Sequence, residues 1–419
     1  MMTPRDELLA RITSDETALI GLLGDVVRAA SPNPPGDTRD AAGVLTAWLD
    51  RHGAPFRVVG PDPAMPNILA SFEGARPGPH LVLNGHIDTF PTVAADRWTE
   101  DPLGGAVVGG RLYGTGASDM KQGTASLVAL FCWLHAMRDR LAGRLTLTAV
   151  SDEETFGPNG ARYLVEHHAA EVLGDCLLNT EPGAPTTVRF AEKSPLWLRI
   201  EVQTMGCHGA YTHKSPSATK IAAAIIEELA ALEDTEVPLP RAVAEAIAAG
   251  AAEIDRVHLP GAARTMGAVT LNIGTWQGGV IVNMLPGHCA IEADIRVPWG
   301  IDPDAIVARA NEIVGRHEGT TLRVISKQTP RWSDPAHPMV GHIQRNAAAV
   351  AGWAVRPIPS LAGTDSRLWR ERGVPAFTYG TTATNVAMPD ENTDLAEWLK
   401  VVRVHALSAL DYLTEETNR

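Results

Sequence analysis

The chain has 419 residues, 45% hydrophobic and 20% charged, with a formal net charge of −13. The length predicts two or three domains, and the composition fits a globular protein. The acidic balance argues against nucleic acid or an anionic membrane as partner, and no uninterrupted apolar run is long enough to span a bilayer.

The first residues, MMTPRDELLARITSDE, carry acids that a secretory leader lacks, and the four cysteines (Cys132, Cys176, Cys207, Cys289) form no CxxC pair. Both features predict a reduced, cytoplasmic location. Residues 16–30 have apolar positions at helical spacing, and SPNPPGDT then breaks the pattern. Residues 37–52 predict a second amphipathic helix, stopped by Gly53. Strands are predicted at 56–59 and 67–72, and LVLNGHID (81–88) reads as a buried strand whose end carries His86 and Asp88. On an extended chain those two share a face. A carboxylate beside an imidazole fixes ring direction and tautomer for metal ligation. A plain polar strand end is the ordinary reading of so short a pattern.

Residues 97–110 predict a loop leading into GTGASDMKQG (114–123), followed by an apolar helix from 119 to about 141. RLTLTAVSDEE is a strand ending in acids, residues 159–168 a helix, and CLLNTEP another strand ending in an acid. This β-then-α rhythm predicts an α/β fold with a mainly parallel sheet covered by helices. The rhythm changes near Ser194. Alternating strands at 196–204, 268–273 and 288–297, helices at 220–232 and 302–317, and a strand at 321–327 predict a small α+β domain with an antiparallel sheet. Residues 235–265 are expected to be an irregular insertion. After Pro330 the α/β pattern resumes, with helices at 338–351 and 392–414. The expected domains are therefore residues 1–194 with 330–419, and 195–329 inserted between them.

Three further strand ends or helix starts bear acids. Asp119 sits at a helix start, where Asp is usually only a cap. Glu153 and Glu154 follow Asp152, and three adjacent acids at a sheet's end call for cations or a solvated turn. Glu181 ends a buried run. Four such ends around one sheet, with His86, point to a metal site. GTGASDMKQG lacks both GxxxxGK[ST] and GxGxxG, so it is no phosphate loop.

In order and spacing these motifs resemble the metallohydrolases that include acetylornithine deacetylase, succinyl-diaminopimelate desuccinylase, aminoacylase and the glutamate carboxypeptidases. GHIDTFP, GTGASDMKQG (with Gln122 where glycine is usual) and SDEE match the metal motifs. The resemblance implies that His86 is a ligand oriented by Asp88 and that Asp119 bridges two metals. It implies that Glu154 and Glu181 each bind one metal and that Glu153 is the general base. Imidazole and carboxylate ligands suit zinc, manganese or cobalt. TMGCHGAYTHKSP resembles the family's lid motif, placing an oxyanion-stabilising role on His208 across a homodimer and making residues 195–329 a lid and dimerisation domain. By the same resemblance Asn283, Arg296 and Thr364 (in GTDSR) face the substrate. An arginine suits a bidentate grip on a carboxylate. The ordinary readings are an ion pair of Arg296 with Asp294 and a helix cap at Thr364 or Asp365.

One family ligand is missing. The family has a histidine four residues before an acid near the C-terminus, and in YGTTATNVAMPDENTDL that position is Ala387. No histidine occurs between Tyr379 and Lys400. Three readings follow: a one-metal site, a gap filled by Asn385, Asp390 or water, or an inactive chain serving as a binding protein. The sequence thus predicts a divalent-metal hydrolase, one or two metals per chain, acting on a C–N bond of a small carboxylate-bearing substrate such as an N-acyl amino acid or dipeptide. The alternative is hydrolytic deamination of an electron-poor aromatic amine of the nitroanthranilate type, which has no acyl carbonyl to hold.

Overall fold

Strand Arg76–His86 runs from an exposed start into complete burial over residues 81–86. Its neighbours on both sides are parallel. Leu81 pairs with Leu145 and His86 with Val150 of strand Ala142–Val150. On the other side Leu81 pairs with Cys176 and Asn84 with Asn179 of strand Cys176–Asn179. Ala376–Thr378 adds a fourth parallel strand. These four form the centre of an eight-stranded sheet. Phe56–Val59 and Asn67–Glu73 extend one side antiparallel, and Thr187–Glu192 and Arg356–Ser360 complete the other. A parallel centre needs cover on both faces, and the apolar runs of these strands reflect that. The α/β class and its mainly parallel centre are as the sequence predicts.

This computed structural model describes residues 2–414. The chain divides into two compact units, one of Met1–Phe190, Ser333–Ile358 and Thr364–Arg419, the other of Ala191–Trp332 and Pro359–Gly363. In the first unit, helix Lys121–Ala136 is buried at every position from Lys121 to Leu134. It stops earlier than expected, at a short 3-10 turn, Arg138–Arg140. The first helix is longer than expected and spans Pro4–Arg28, because Thr3 caps it by accepting from the Asp6 N–H at 3.1 Å and Pro4 opens the first turn. The expected closing helix starts late. Asn392–Asp394 is a strand paired with Arg111–Tyr113, and the helix is Leu395–Tyr412, capped by Asp394.

The second unit is a four-stranded antiparallel sheet in the order Thr270–Gly278, His288–Val297, Ser194–Gln203, Thr320–Lys327. Leu196, Leu198, Ile200 and Val202 alternate inward and pack with Ile225 and Leu229 of helix Ala218–Leu229 and Ile306 and Ile313 of helix Pro303–Val314. The segment expected to be irregular is instead helical, over Arg241–His258 and Ala262–Met266. Its buried positions, Val243, Ala246, Gly250 and Ile254, do have helical spacing. Half of that stripe is Ala and Gly, which gives little hydrophobic contrast. Lys193 is buried and donates to the Thr265 carbonyl at 3.1 Å and the Ala268 carbonyl at 2.6 Å, tying the end of this segment to the sheet. All four cysteines are free. No helix among the described residues is long and apolar enough to cross a membrane.

A buried polar rung fixes the register of the three strand ends. Asn84 donates to Thr148 Oγ1 at 3.2 Å and accepts from Asn179 Nδ2 at 2.9 Å. Asn179 Oδ1 in turn accepts from the Glu181 N–H at 2.9 Å. Replacing Asn84 with Leu strands the Asn179 donor in the core, at a cost of about 1–3 kcal/mol. Urea unfolding of N84L checks this; unchanged stability contradicts the role of the rung.

Candidate metal centre and active site

The common register delivers His86, the residues after Val150 and Glu181 to one edge of the sheet, where open α/β sheets place their ligands. Asp119 arrives from the turn before helix Lys121–Ala136. His86 is buried, and its Nδ1 lies 2.9 Å from the Asp88 backbone carbonyl. A carbonyl only accepts, so Nδ1 carries the proton. Nε2 then faces Asp119 Oδ1 and Glu181 Oε1, each at 3.3 Å. A neutral imidazole there aims a lone pair at two carboxylate oxygens, an arrangement that demands a cation or a further proton between them. One imidazole and two carboxylates are a donor set for a divalent metal. Among the described residues this is the group of three whose ligand atoms all lie within 4.8 Å of one another.

Electrostatics support that reading. Burial opposes the imidazolium at His86, yet Glu181, Asp119 and Asp88 hold its pKa well above the ordinary value. Burial, then the Asp119 charge, pushes Glu181 up to about 7 and Glu154 up to about 11. Burial and Glu181 push Glu153 well above the ordinary carboxylate range. Asp88 differs. Burial raises it, but bonds from His86, Asn33 and the Glu154 N–H bring it below its usual value. One acid is thus held charged by hydrogen bonds, while the others are crowded and short of positive charge.

Glu153 lies next to a cation from an unexpected source. Its Oε1 is buried without a hydrogen bond, 3.7 Å from the Arg367 guanidinium. Arg367 stacks 4.4 Å over the Phe156 ring and donates to the Thr364 carbonyl at 2.7 Å. Thr364 itself is buried, and its hydroxyl accepts from the Ser366 N–H at 3.2 Å, just ahead of helix Ser366–Glu371. Glu154 accepts from the Phe90 N–H at 3.1 Å.

Glu391, in the sequence only a landmark for counting, does more than mark a position. It is buried and accepts from the N–H groups of Gly116 (3.1 Å), Ser118 (2.9 Å) and Asp119 (2.9 Å). Burial pushes its pKa up to about 7. The signal available was the acid's fixed offset from the missing histidine. Around Ala387, the Thr384 N–H donates to Ser118 Oγ at 3.1 Å. Asn385 commits its amide N–H groups to the Pro389 and Asp390 carbonyls. Asp390 Oδ1 accepts from the Thr99 N–H and hydroxyl. The Asn385 amide nitrogen and Asp390 Oδ1 are thus engaged with other groups.

In the second unit, His208 and Asn283 are neighbours on a small ribbon. His208 pairs with Met284, and the Asn283 carbonyl accepts from the Gly209 N–H at 2.7 Å. Both residues are exposed. Arg296 donates through Nε (3.1 Å) and Nη2 (2.9 Å) to Asp294 Oδ2, the ordinary partner considered for it.

The model of Peptidase family M20/M25/M40 matches residues 82–411. A succinyl-diaminopimelate desuccinylase from Gluconacetobacter diazotrophicus is 28% identical over 94% of this chain and 97% of the relative. Among solved structures, an M20 family metallo-carboxypeptidase from Sulfolobus solfataricus has a TM-score of 0.79 at 15% identity, over 94% of this chain and 98% of that one. A dinuclear metal-binding peptidase from Bacillus subtilis has a TM-score of 0.66 at 16% identity, over 96% of this chain and 99% of that one. Fold, site and family match together define a metal-dependent hydrolase acting on carbon–nitrogen bonds. The chain belongs to Peptidase family M20/M25/M40.

The raised pKa values carry a sign. His86 and Glu181 each bind a proton more tightly folded than unfolded, as does Glu391. In the metal-free protein their stabilisation is fully present below the ordinary pKa. It is lost as pH rises through the folded value, about 7 for Glu181 and Glu391. Metal competes with the protons on its ligands. The Tm of chelator-treated protein should therefore fall between about pH 5 and 8, and the gain in Tm on adding metal should grow over that range. Differential scanning calorimetry at stepped pH checks both trends, and a metal-free Tm that climbs with pH contradicts them.

Proposed function

We propose that this chain hydrolyses the amide bond of a small carboxylate-bearing substrate, such as an N-acyl amino acid or a dipeptide, with Glu153 as general base. The observation that carries the reading is the convergence of His86 Nε2, Asp119 and Glu181 beside the buried Glu153 carboxylate, whose Oε1 makes no hydrogen bond. His86, Asp119 and Glu181 would hold the divalent metal, zinc, manganese or cobalt, with Asp88 fixing the His86 tautomer. When bound, that ion supplies a Lewis acid that makes water ionise near neutral pH. Glu153 takes the proton of the attacking water and delivers it to the departing nitrogen. Arg367 stands where it can balance the Glu153 charge. His208 is assigned the oxyanion contact across a homodimer, with residues 195–329 as lid and dimerisation domain. Asn283, Arg296 and Thr364 are assigned to the substrate. For Arg296 to grip a carboxylate it must exchange its bond to Asp294.

The same reading takes the metal count as one per chain. Glu154 and Asp119 lack a third protein ligand because position 387 is Ala, and no histidine lies between Tyr379 and Lys400 to take its place. This also favours keeping a second reading, hydrolytic deamination of an electron-poor aromatic amine, which needs no second ion to polarise an acyl oxygen. Product analysis separates the two: N-acyl amino acids and dipeptides release a free carboxylate and amine, whereas aromatic amines release ammonia.

Two outcomes are expected. Glu153→Ala should lower kcat by about 10²–10⁴-fold while metal content stays at the wild-type level; a variant that retains full turnover removes Glu153 as base. Elemental analysis should find one tightly held metal in wild type and a second in Ala387→His. Two tight metals in wild type contradict the one-metal reading.

A further inference from the structure

The loop read from sequence as a simple helix breaker reaches the centre. Ser31 Oγ donates to the Ile87 carbonyl at 2.7 Å, the Thr89 N–H donates to the Ser31 carbonyl at 3.0 Å, and the Asn33 N–H donates to the Thr89 carbonyl at 2.8 Å. Residues 31–33 are thereby bonded to the chain on both sides of Asp88. From that position Asn33 Nδ2 donates to Asp88 Oδ2 at 2.9 Å and to Asp152 Oδ1 at 3.0 Å. Asn33, Asp88 and Asp152 are all buried. Asp88 also accepts from the N–H groups of Glu153 (3.3 Å) and Glu154 (3.1 Å). One amide nitrogen therefore joins the strand end bearing His86 to the turn bearing Glu153 and Glu154.

The residue type matters. A hydroxyl has one proton and serves one carboxylate; an amide nitrogen has two and serves both. A lysine or arginine would also serve both, but would neutralise Asp88 and place positive charge beside the imidazole that binds metal. Asparagine supplies two donors and no charge. Asp88 keeps its negative charge, and its backbone carbonyl keeps the His86 proton on Nδ1.

We infer that Asn33 is a positioning residue for the metal centre: it acts through Asp88 to hold His86 and the Glu153–Glu154 turn in ligating geometry. The inference rests on the reading of His86, Asp119 and Glu181 as metal ligands. Partners that orient a ligating histidine are typically worth about 10–100-fold in metal affinity. The test is zinc affinity of the full chain, measured by competition with a chromophoric chelator, together with the Tm of the metal-free protein. Asn33→Leu keeps the branching at Cγ and removes both donors; the zinc Kd should rise by about 10–100-fold. Thr38→Val is the control. Thr38 Oγ1 bonds Ser151 Oγ at 2.6 Å and ties the same loop to the same strand end without touching Asp88. It should lower the metal-free Tm and leave the zinc Kd within twofold of wild type. If N33L is not recovered folded, Asn33→Ser, which retains a single short donor, should still weaken zinc about tenfold, at the low end of such effects. A folded N33L or N33S with wild-type zinc affinity overturns the inference while leaving the metal reading intact. Equal weakening by T38V and N33L also overturns it, because general loosening then explains the loss. A wild-type chain that binds no zinc overturns the ligand reading and this inference together.

Discussion

The shared register of three parallel strands is the constraint on which the centre depends. Side chains alternate with a period of two along a strand, so a slip of one residue sends His86 to the opposite face and separates it from Glu181. Apolar packing alone does not forbid such a slip here, because the strands are buried on both faces and their hydrophobic runs are nearly continuous. The Asn84–Asn179 pair forbids it. A buried amide that loses its partner costs more than the displaced apolar contacts regain. The polar rung thus defines which residues end the strands, and the ends are where the chemistry sits.

Charge then decides how the ends behave. Four acids, Asp119, Glu153, Glu154 and Glu181, surround one imidazole and one guanidinium. Water would shield them on an open surface, but here burial strips that shield from Glu153 and Glu181 and thins it at the other two. Asp88 sits in the same low-dielectric setting and still ionises readily, because donors converge on it. The contrast between Asp88 and its neighbours separates an acid satisfied by hydrogen bonds from acids crowded together and short of positive charge. Glu391 accepts three backbone N–H groups and so grips from behind the turn that presents Asp119.

Much of this was legible in the sequence because the signals are local. An apolar run ending in His-x-Asp, a run ending in Asp-Glu-Glu and a run ending in Thr-Glu each declare a strand and its terminus within ten residues. The alternation at Ser194–Gln203 and His288–Val297 likewise announced a sheet with one dry face. What the sequence hid falls into two kinds. Helix Arg241–His258 was missed because a stripe partly of Ala and Gly has little contrast with its surroundings. Asn33, Arg367 and Glu391 were missed because each acts on a residue far away in the chain. Asn33 meets Asp88 55 residues on, and Glu391 meets Asp119 272 residues back. No periodicity or spacing rule records such pairs. The proline-rich loop around Asn33 looked like an interruption when read along the chain, and is a bracket when seen in space.

The loop that lacks the histidine has a consequence of its own. Residues 384–391 are fastened to the Asp119 turn at both ends, by the Thr384 N–H on Ser118 and by the Glu391 carboxylate. Position 387 lies between two fixed points and carries none of that attachment. Its side chain bears none of the framework's bonds, although its φ of 57° admits residues that tolerate the left-handed region and disfavours β-branched ones. On the one-metal reading proposed above, the number of ions becomes a trait separable from the architecture, set at position 387 while the fastened ends of the loop stay in place.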